Sequence, residues 1–498
     1  MPSQKAPGVA MLALLVGCAV GPSTRVTPTP AAPLASRAVT AAPPAARQFL
    51  DSLTRVRVAE HADTGAALWR PRALTVDAAR DLAWLDVMQD TQLVALVNTA
   101  VTNNRDVQAA VARVREYRAL VGVARADLYP RVDVVASASV NKVSFGGLAP
   151  SRFDALRITG ELQWELDFWG RVRRQTEAAG FDRRAHEEDH RAVVLTLVSD
   201  VATAYLALKE VDENLRIADE TLGSRQATLG LAQRRFAQGV ISELDVRQFE
   251  SEVARSATTV AIFTRQRVEI ENQLSVLLGR EPEAIPRGRA LEQAVQAVAV
   301  PESLPGALVV RRPDVLRAQS DWQAATARIG VAIGNRMPTF FVTGTYGTQR
   351  PDFDGLFSSR GEVFALQGGV SVPVFHGGRL VNQERAARAR ADQARANYEQ
   401  TVLIALGEAS NALSGVRLTR DQIVTQQTQA QALRRALALA QQRYESGIAS
   451  YLEVLDAQRQ LFDAELSLVQ VQREYLVATV QLYKALGGTW NEARGGTG

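Results

Sequence analysis

The chain has 498 residues, enough for two to four ordinary domains or one large one. Its 57 basic and 53 acidic residues nearly cancel, and no arginine-rich arm interleaved with aromatic residues occurs, which argues against a nucleic-acid partner. Aromatic residues are scarce while Ala, Gln, Arg, Leu and Val abound, a composition suited to long helices.

Residues 1–17 have the pattern of a signal peptide, with Lys5 ahead of an apolar run from Val9 to Val16. That run is too short to span a bilayer but has the length of a secretory signal core. Leu15-Val16-Gly17-Cys18 resembles the bacterial lipobox, in which the cysteine is lipidated and becomes the first mature residue. Cys18 is the only cysteine of the chain, and Ala19 rather than Asp follows it, which by resemblance to such lipoproteins implies the outer membrane. Residues 18–80 are then a lipid-anchored tether and lead-in, rich in Pro, Ala and Thr as far as about Arg47 and without an apolar period. The folded part is expected to begin near Leu82.

From there the sequence is written twice. At a constant offset of 208, Asp106-Val107 meets Asp314-Val315, Pro130 meets Pro338, Gly170-Arg171 meets Gly378-Arg379, and Leu278-Gly279 meets Leu486-Gly487. The repeats are placed at 81–288 and 289–490, followed by a flexible tail at 491–498. A unit of this length is far longer than a solenoid repeat and predicts a pseudo-symmetric chain. Each unit is expected to run helix, strand, strand, long helix, tip turn, helix.

In the first repeat the strands are predicted at about 130–141 and 156–168. Leu156, Ile158, Gly160, Leu162, Trp164, Leu166 and Phe168 share one face of the second, while Arg157, Thr159, Glu161, Gln163, Glu165 and Asp167 share the other. Val132, Val134, Ala136, Ala138 and Val140 alternate in the same way. In the second repeat the strands are predicted at about 338–349 and 363–375, with Phe340, Val342 and Tyr346 on one apolar face and Phe364, Leu366, Gly368, Val370, Val372 and Val374 on the other strand's. Such strands match either tilted membrane-spanning strands or soluble hairpins with one packed face.

The helices weigh against the soluble alternative. Proline is absent from Arg171 to about Ala237 and from Arg379 to about Glu445. Each run would reach roughly 100 Å as one continuous helix. Ala387, Ala391, Ala394, Tyr398, Val402, Ala405, Ala409, Ala412 and Val416 are spaced by threes and fours, a seam that demands parallel neighbours along its length. Four strands cannot sit in a membrane as an open sheet, because their edges would leave backbone groups unsatisfied. Two chains would give eight strands and a bore filled by side chains, whereas three or four leave a solvated lumen. Glu161, Glu165 and Asp167 on the wet face favour the solvated kind.

Several stretches together resemble the TolC/OprM-type outer-membrane factors, specifically their lipoprotein branch, the NodT-type efflux proteins. They are ESLPGALVVRRPDVLRAQ (Glu302 to Gln319), LDFWGRVRR (Leu166 to Arg174), PVFHGGRL (Pro373 to Leu380), RYESGIASYLEVLDAQR (Arg443 to Arg459) and YKALGGTW (Tyr483 to Trp490). The resemblance covers nearly everything after Cys18. Asp90-Thr91 stands where the family commonly has Asp-Pro, and His376 where an acidic or polar residue is frequent. The resemblance implies a mostly α chain with a transmembrane β-barrel. It implies a homotrimer whose 12-stranded barrel, four strands per chain, continues into a long α-helical periplasmic tunnel. It further implies a passive exit duct without cofactor or enzymatic activity, partnered by a periplasmic adaptor, an inner-membrane efflux pump of the RND type and outer-membrane lipid. Type I protein secretion, or a periplasmic coiled-coil scaffold without a pore, are the alternative readings.

His186-Glu187-Glu188-Asp189-His190 is a literal zinc-protease pattern. The extended form fails, because Val193 and Thr196 stand where Gly and a third His belong, and Glu210 continues the same helix instead of folding back. The pair is expected on a packing face rather than at a metal. Glu161, Glu165 and Asp167, copied threefold, form an expected lumen acidic cluster that would favour cations. The loops from Lys142 to Ala155 and from Arg350 to Gly361 carry Phe145, Leu148, Phe153, Phe353, Leu356 and Phe357, and are expected either to fold over the outer mouth or to be ordinary surface loops.

The tip turns, at about 237–243 and 445–451, each hold a glycine, Gly239 and Gly447, where positive φ is expected. The resemblance places Leu452, Asp456 and Arg459 at a periplasmic gate. Asp456 and Arg459 share a helix face, and otherwise form a solvated ion pair worth less than about 1 kcal/mol. Gln248 and Ser251 occupy the matching places in the first repeat, so only the second tip is expected to carry the charged lock.

Overall fold

The structure, a computed structural model, describes residues 21–22, 85, 88–143, 151–297, 306–353 and 358–488. The signal segment, Cys18, nearly all of the tether, the tail, and Phe145, Leu148, Leu356 and Phe357 of the connecting loops lie outside the described residues. The first repeat contains α1 (Thr91–Asn103), α2 (Arg105–Ala126), β1 (Arg131–Val143), β2 (Ser151–Leu166), α3 (Arg171–Ala237) and α4 (Glu243–Leu277). A short α5 (Leu291–Ala297) and a 3-10 turn (Gly306–Arg311) lead to α6 (Pro313–Gly334), β3 (Thr339–Arg350), β4 (Glu362–Ser371), α7 (Arg379–Glu445) and α8 (Tyr451–Ala485).

The repeat is kept at the level of single helix ends. The pairs α2 and α6, α3 and α7, and α4 and α8 start and stop at the same offset of 208. Both α3 and α7 are unbroken over 67 residues. Glycine marks the boundaries, with positive φ at Gly170 and Gly378, Gly239 and Gly447, and Gly279 and Gly487. Four of these end a helix in the same way. The amides of Val240, Arg280, Ile448 and Gly488 reach back to the carbonyls of Arg235, Ser275, Arg443 and Tyr483, the Schellman closure that needs a left-handed residue just before.

The chain divides into two compact units, and neither is a repeat. The first joins Ala112–Glu188 to Leu316–Gln400, so it takes the strands of both repeats. Its sheet is antiparallel in the order β1-β2-β3-β4. The register sets Val134, Gly160, Tyr346 and Phe364 in one row, and Val132, Leu162, Gly344 and Leu366 in the next. Val134 and Phe364 are 77% and 71% exposed, so an apolar face lies uncovered. The opposite face aligns Asp133, Glu161 and Thr345, and then Arg131, Gln163, Thr343 and Gln367. Uncovered apolar outside and polar inside is the alternation of a membrane strand.

Strand bounds differ most from expectation in β2 and β4. β2 begins at Ser151, so residues 151–155 belong to the strand rather than the loop, and it ends at Leu166, leaving Asp167 and Phe168 outside. Asp167 turns away because its carboxylate accepts the amides of Val172 and Arg173 at the start of α3 (3.1 and 2.9 Å), a local hydrogen bond that competes with the ladder. β4 stops at Ser371, so Val372 and Val374 do not extend its face. Pro373, which offers no amide to the ladder, stands two residues further on. Indole N–H groups tie the strand ends to the chain nearby, Trp164 donating to the Leu128 carbonyl (3.1 Å) and Trp169 to that of Pro338 (2.8 Å). In this unit Ala387 and Ala391 of the α7 seam pack on Ile329 and Ala332 of α6.

The second unit comprises the described parts of Thr29–Val111, Asp189–Val315 and Thr401–Gly498. Its core gathers Leu93, Val97 and Ala100 of α1, Val198, Val201, Tyr205 and Leu208 of α3, Leu274 of α4 and Leu476 and Val480 of α8. The later half of the alanine seam is covered here, with Val402, Ala405, Ala409 and Val416 all buried. Asp90 caps α1 by accepting the Gln92 and Leu93 amides (3.0 and 3.2 Å). The same buried carboxylate takes the Lys209 ammonium at 2.5 Å and the Tyr205 hydroxyl at 3.3 Å, which ties the lead-in to α3. Two repeat-related links use different chemistry at one place: the Asn104 amide donates to the Leu277 carbonyl (3.0 Å), and the Arg312 guanidinium to that of Ala485 (3.2 Å).

Candidate functional site

The two tip turns close by the same backbone geometry, with φ of 73° at Gly239 and 70° at Gly447. Helix α4 starts from a full capping box, in which the Ser242 hydroxyl accepts the Asp245 amide (3.3 Å) and the Asp245 carboxylate accepts the Ser242 amide (2.9 Å). Ser450 opens α8 without a side-chain bond. In the place of Asp245 stands Glu453, which faces Arg443 at 3.6 Å.

Aromatic packing substitutes for the missing cap. Tyr451 lies against Phe249 (ring centroids 4.1 Å apart) and Tyr444 (5.5 Å), and Arg235 donates to the Tyr444 hydroxyl at 3.0 Å. Burial pushes the Tyr451 hydroxyl up to about 12, against the pull of nearby Arg225. The turns themselves stay open, and Val240, Leu244, Ile448 and Leu452 are all exposed apolar side chains.

The expected gate residues Leu452, Asp456 and Arg459 lie along the first turns of α8, but Asp456 and Arg459 do not pair with each other. Asp456 accepts the Gln460 amide at 2.6 Å, and Arg459 donates to Glu252 of α4. Glu252 is 4% exposed and meets Arg225 of α3 at 2.9 Å and Arg255 at 3.5 Å. The charged group around Arg459 is therefore shared between the two tips. The first repeat supplies its carboxylate. At the positions matching Arg225 and Glu252 the second repeat has Leu433 and Gln460, so the sequence does mark the difference, although only packing of α4 against α8 reveals the pairing.

The expected acidic cluster is not a set of free charges. Glu161 is met by Arg157 at 3.3 Å, Glu165 by Arg171 through two bonds of 2.9 and 2.7 Å, and Asp167 by Arg173 at 3.2 Å. Each carboxylate has its own guanidinium, which offsets the charge on which a preference for cations would rest. Glu187, the supposed general base of the zinc pattern, is engaged by Arg183 at 2.6 Å. The His186 ring stacks on Tyr117 at 3.7 Å, and His190 is buried. Among the described residues no group of three or more His, Cys, Asp or Glu gathers as a metal site would require.

A half-polar sheet with unsatisfied edges, joined in sequence to long seamed helices, defines a membrane channel completed by further copies. The family model of the outer membrane efflux proteins matches residues 96–280 and 304–488, one match per repeat. The solvent efflux pump outer membrane protein SrpC of Pseudomonas putida is 34% identical over 411 residues, covering 82% of this chain and 87% of that protein. The cation efflux system protein CusC of Escherichia coli is 30% identical over 417 residues, covering 84% and 90%. Crystal structures of CusC superpose with a TM-score of 0.75 at 30% identity, covering 80% of this chain and 93% of that one. The outer-membrane channel OprN gives 0.76 at 30%, covering 82% and 92%.

The chain belongs to the outer membrane efflux protein family. It is the outer-membrane component of a tripartite efflux system. Three chains each supply four strands to a twelve-stranded barrel with an α-helical periplasmic tunnel, which works with a periplasmic adaptor and an inner-membrane pump.

Proposed function

We propose that the protein is a passive exit duct, without catalysis of its own, for drugs or other small molecules delivered by a pump of the RND type, and that it is closed at the second tip hairpin. The observation that carries the closure is the setting of Leu452, apolar and 67% exposed on the first turn of α8, with Asp456 and Arg459 one and two turns further along. Three copies of that helix around one axis would bring an apolar ring and two charged rings to the same constriction. The named relatives are solvent and cation efflux proteins, and their cargo differs because a passive duct takes what its pump delivers. Cys18, outside the described residues, is proposed as the lipidated residue that fixes the chain to the inner leaflet of the outer membrane.

The test is ion current through purified trimers in planar bilayers. Asp456→Ala combined with Arg459→Ala should raise the current at unchanged trimer content. An unchanged current would place the constriction elsewhere.

A further inference from the structure

The strands of the two repeats differ in most of their charges. Asp133, Arg157, Glu161 and Glu165 of the polar face meet Phe341, Ala365, Gly369 and Pro373 at the offset of 208. Between 130–168 and 338–376, charge keeps its sign only at Lys142 and Arg350, at Arg152 and Arg360, and at Asp154 and Glu362. All of these lie at the hairpin ends of the strands.

Lys142 is opposite Arg152 in the register, Val140 opposite Asp154, and Leu156 opposite Arg350. By alternation these charges share the apolar face of Val134 and Phe364, not the polar face of Glu161. Arg360 is exposed in the short turn Ser359–Gly361 that leads into β4. Below them, that face of β2 is apolar from Leu156 to Leu166. Such a length of tilted strand rises roughly 25 Å, the height of the lipid-facing band of a membrane barrel. The other strand ends continue into the helices that precede and follow them, so the charged ends face out of the cell. The cations thus stand just beyond the hydrocarbon, at the level of the outward leaflet's headgroups.

Lys142 and Arg152 are exposed, and Arg152 meets Asp154 at 2.8 Å in a pair open to solvent. Such a pair contributes little by itself. Arg350 is held more firmly. Its Nε is shielded from water and has no partner among the described residues. Its stem lies on the turn before β4, where a β-carbon on Gly361 would stand 2.7 Å from the Arg350 Cγ. A guanidinium fixed in place with an unanswered donor calls for an acceptor from outside the chain. The repeated charges, four cations and two carboxylates, leave a positive surplus; Asp352, past the end of β3, has Ser144 as its counterpart and is not one of them.

We propose that Lys142, Arg152, Arg350 and Arg360 form a collar that binds the phosphate groups of an anionic lipid in the outward-facing leaflet. Lys142 with Arg152, and Arg350 with Arg360, make two repeat-related sites per chain. Guanidinium suits phosphate because its parallel N–H groups meet two oxygens at once. The occupant is a lipid rather than a free anion, because the cations stand on the face that carries the apolar band. Acyl chains lie along Leu156, Ile158 and Phe364 while the headgroup meets the collar. The duplication has kept charge where lipid is and let it change on the polar face.

The experiment titrates full-length trimers in neutral detergent with lipid A, a glycolipid bearing two phosphates, and reads binding by calorimetry, with heat-modifiable migration as the check on assembly. The wild-type trimer should bind lipid A at least about tenfold more tightly than the same lipid stripped of its phosphates. Lys142→Gln with Arg152→Gln, and Arg350→Gln with Arg360→Gln, should each remove half of the sites. All four substitutions together should abolish the preference for phosphate. If that variant forms no trimer, the two paired variants carry the test. Equal binding of both lipids by the wild type would mean that these side chains only reach from the apolar band to water, and the collar is refuted. It is refuted equally if the substitutions leave the preference intact. Displacement of lipid A by inorganic phosphate would make this a site for a free anion and overturn the assignment to lipid.

Discussion

His190 is a buried imidazole on α3, and burial lowers its affinity for a proton below the ordinary value of about 6.5. In the unfolded chain the ring titrates normally, so between the two values the unfolded state binds more protons. Its contribution to stability is therefore complete above the unfolded value and is lost as pH falls through that value towards the folded one. Glu210, raised mainly by burial and opposed by Arg473, works in the other sense over the carboxylate range. Melting of the wild-type trimer should drop between pH 7 and pH 5, and His190→Gln should flatten that drop. An equally steep drop in the variant would mean that other groups carry it. The HExxH pattern thus has a packing explanation at each histidine, stacking for one and burial for the other. The Asp456–Arg459 spacing showed a shared face in the sequence, but which carboxylate Arg459 takes depended on a helix some 200 positions away, and no spacing rule reports that.

At the scale of elements, the glycines separate two costs that sequence alone merges. Gly447 and Gly279 both have φ near +70°, and the repeat marks both as invariant between copies. A β-carbon on Gly447 would meet nothing within 4 Å, whereas one on Gly279 would stand 2.5 Å from the Asn103 carbonyl oxygen. Gly447→Ala should therefore cost only the left-handed conformation, about 1–2 kcal/mol, and leave a folded trimer. Gly279→Ala adds a backbone collision at the α1–α2 junction and should lower the heat stability of the trimer markedly further. Equal losses for the two would contradict this division. Helix ends and turn positions were legible because they depend on local backbone chemistry repeated twice. Strand ends were less so. Asp167 continues the polar alternation of β2, yet it leaves the ladder to cap α3, and a period-two count cannot see that competing bond.

For the whole molecule, anchoring and assembly are separable. The barrel holds the trimer in the membrane through twelve strands, and the lipid proposed on Cys18 would add apolar contact at about 0.8 kcal/mol per buried methylene. Cys18→Ala should abolish metabolic labelling with a palmitate analogue while leaving heat-modifiable trimers able to conduct ions. Continued labelling would refute lipidation at that residue. The compact units also cut across the duplication, each taking corresponding pieces of both repeats.

That division follows from what a single repeat lacks. Two strands cannot complete a sheet and one seamed helix cannot bury its seam, so each copy must pair with the other before either is stable. The sequence by itself determined the duplication, the helices and their glycine ends and the half-apolar strands, because each depends on neighbours along the chain or on the offset of 208. Only the tertiary structure decided the partners of the buried charges: Asp90 with Lys209, and Glu252 with Arg225 and Arg459. A buried ion takes its partner by distance in space, so the duplicated tips RRFAQGVISELDV and QRYESGIASYLEV share one turn but differ in the charges packed behind it.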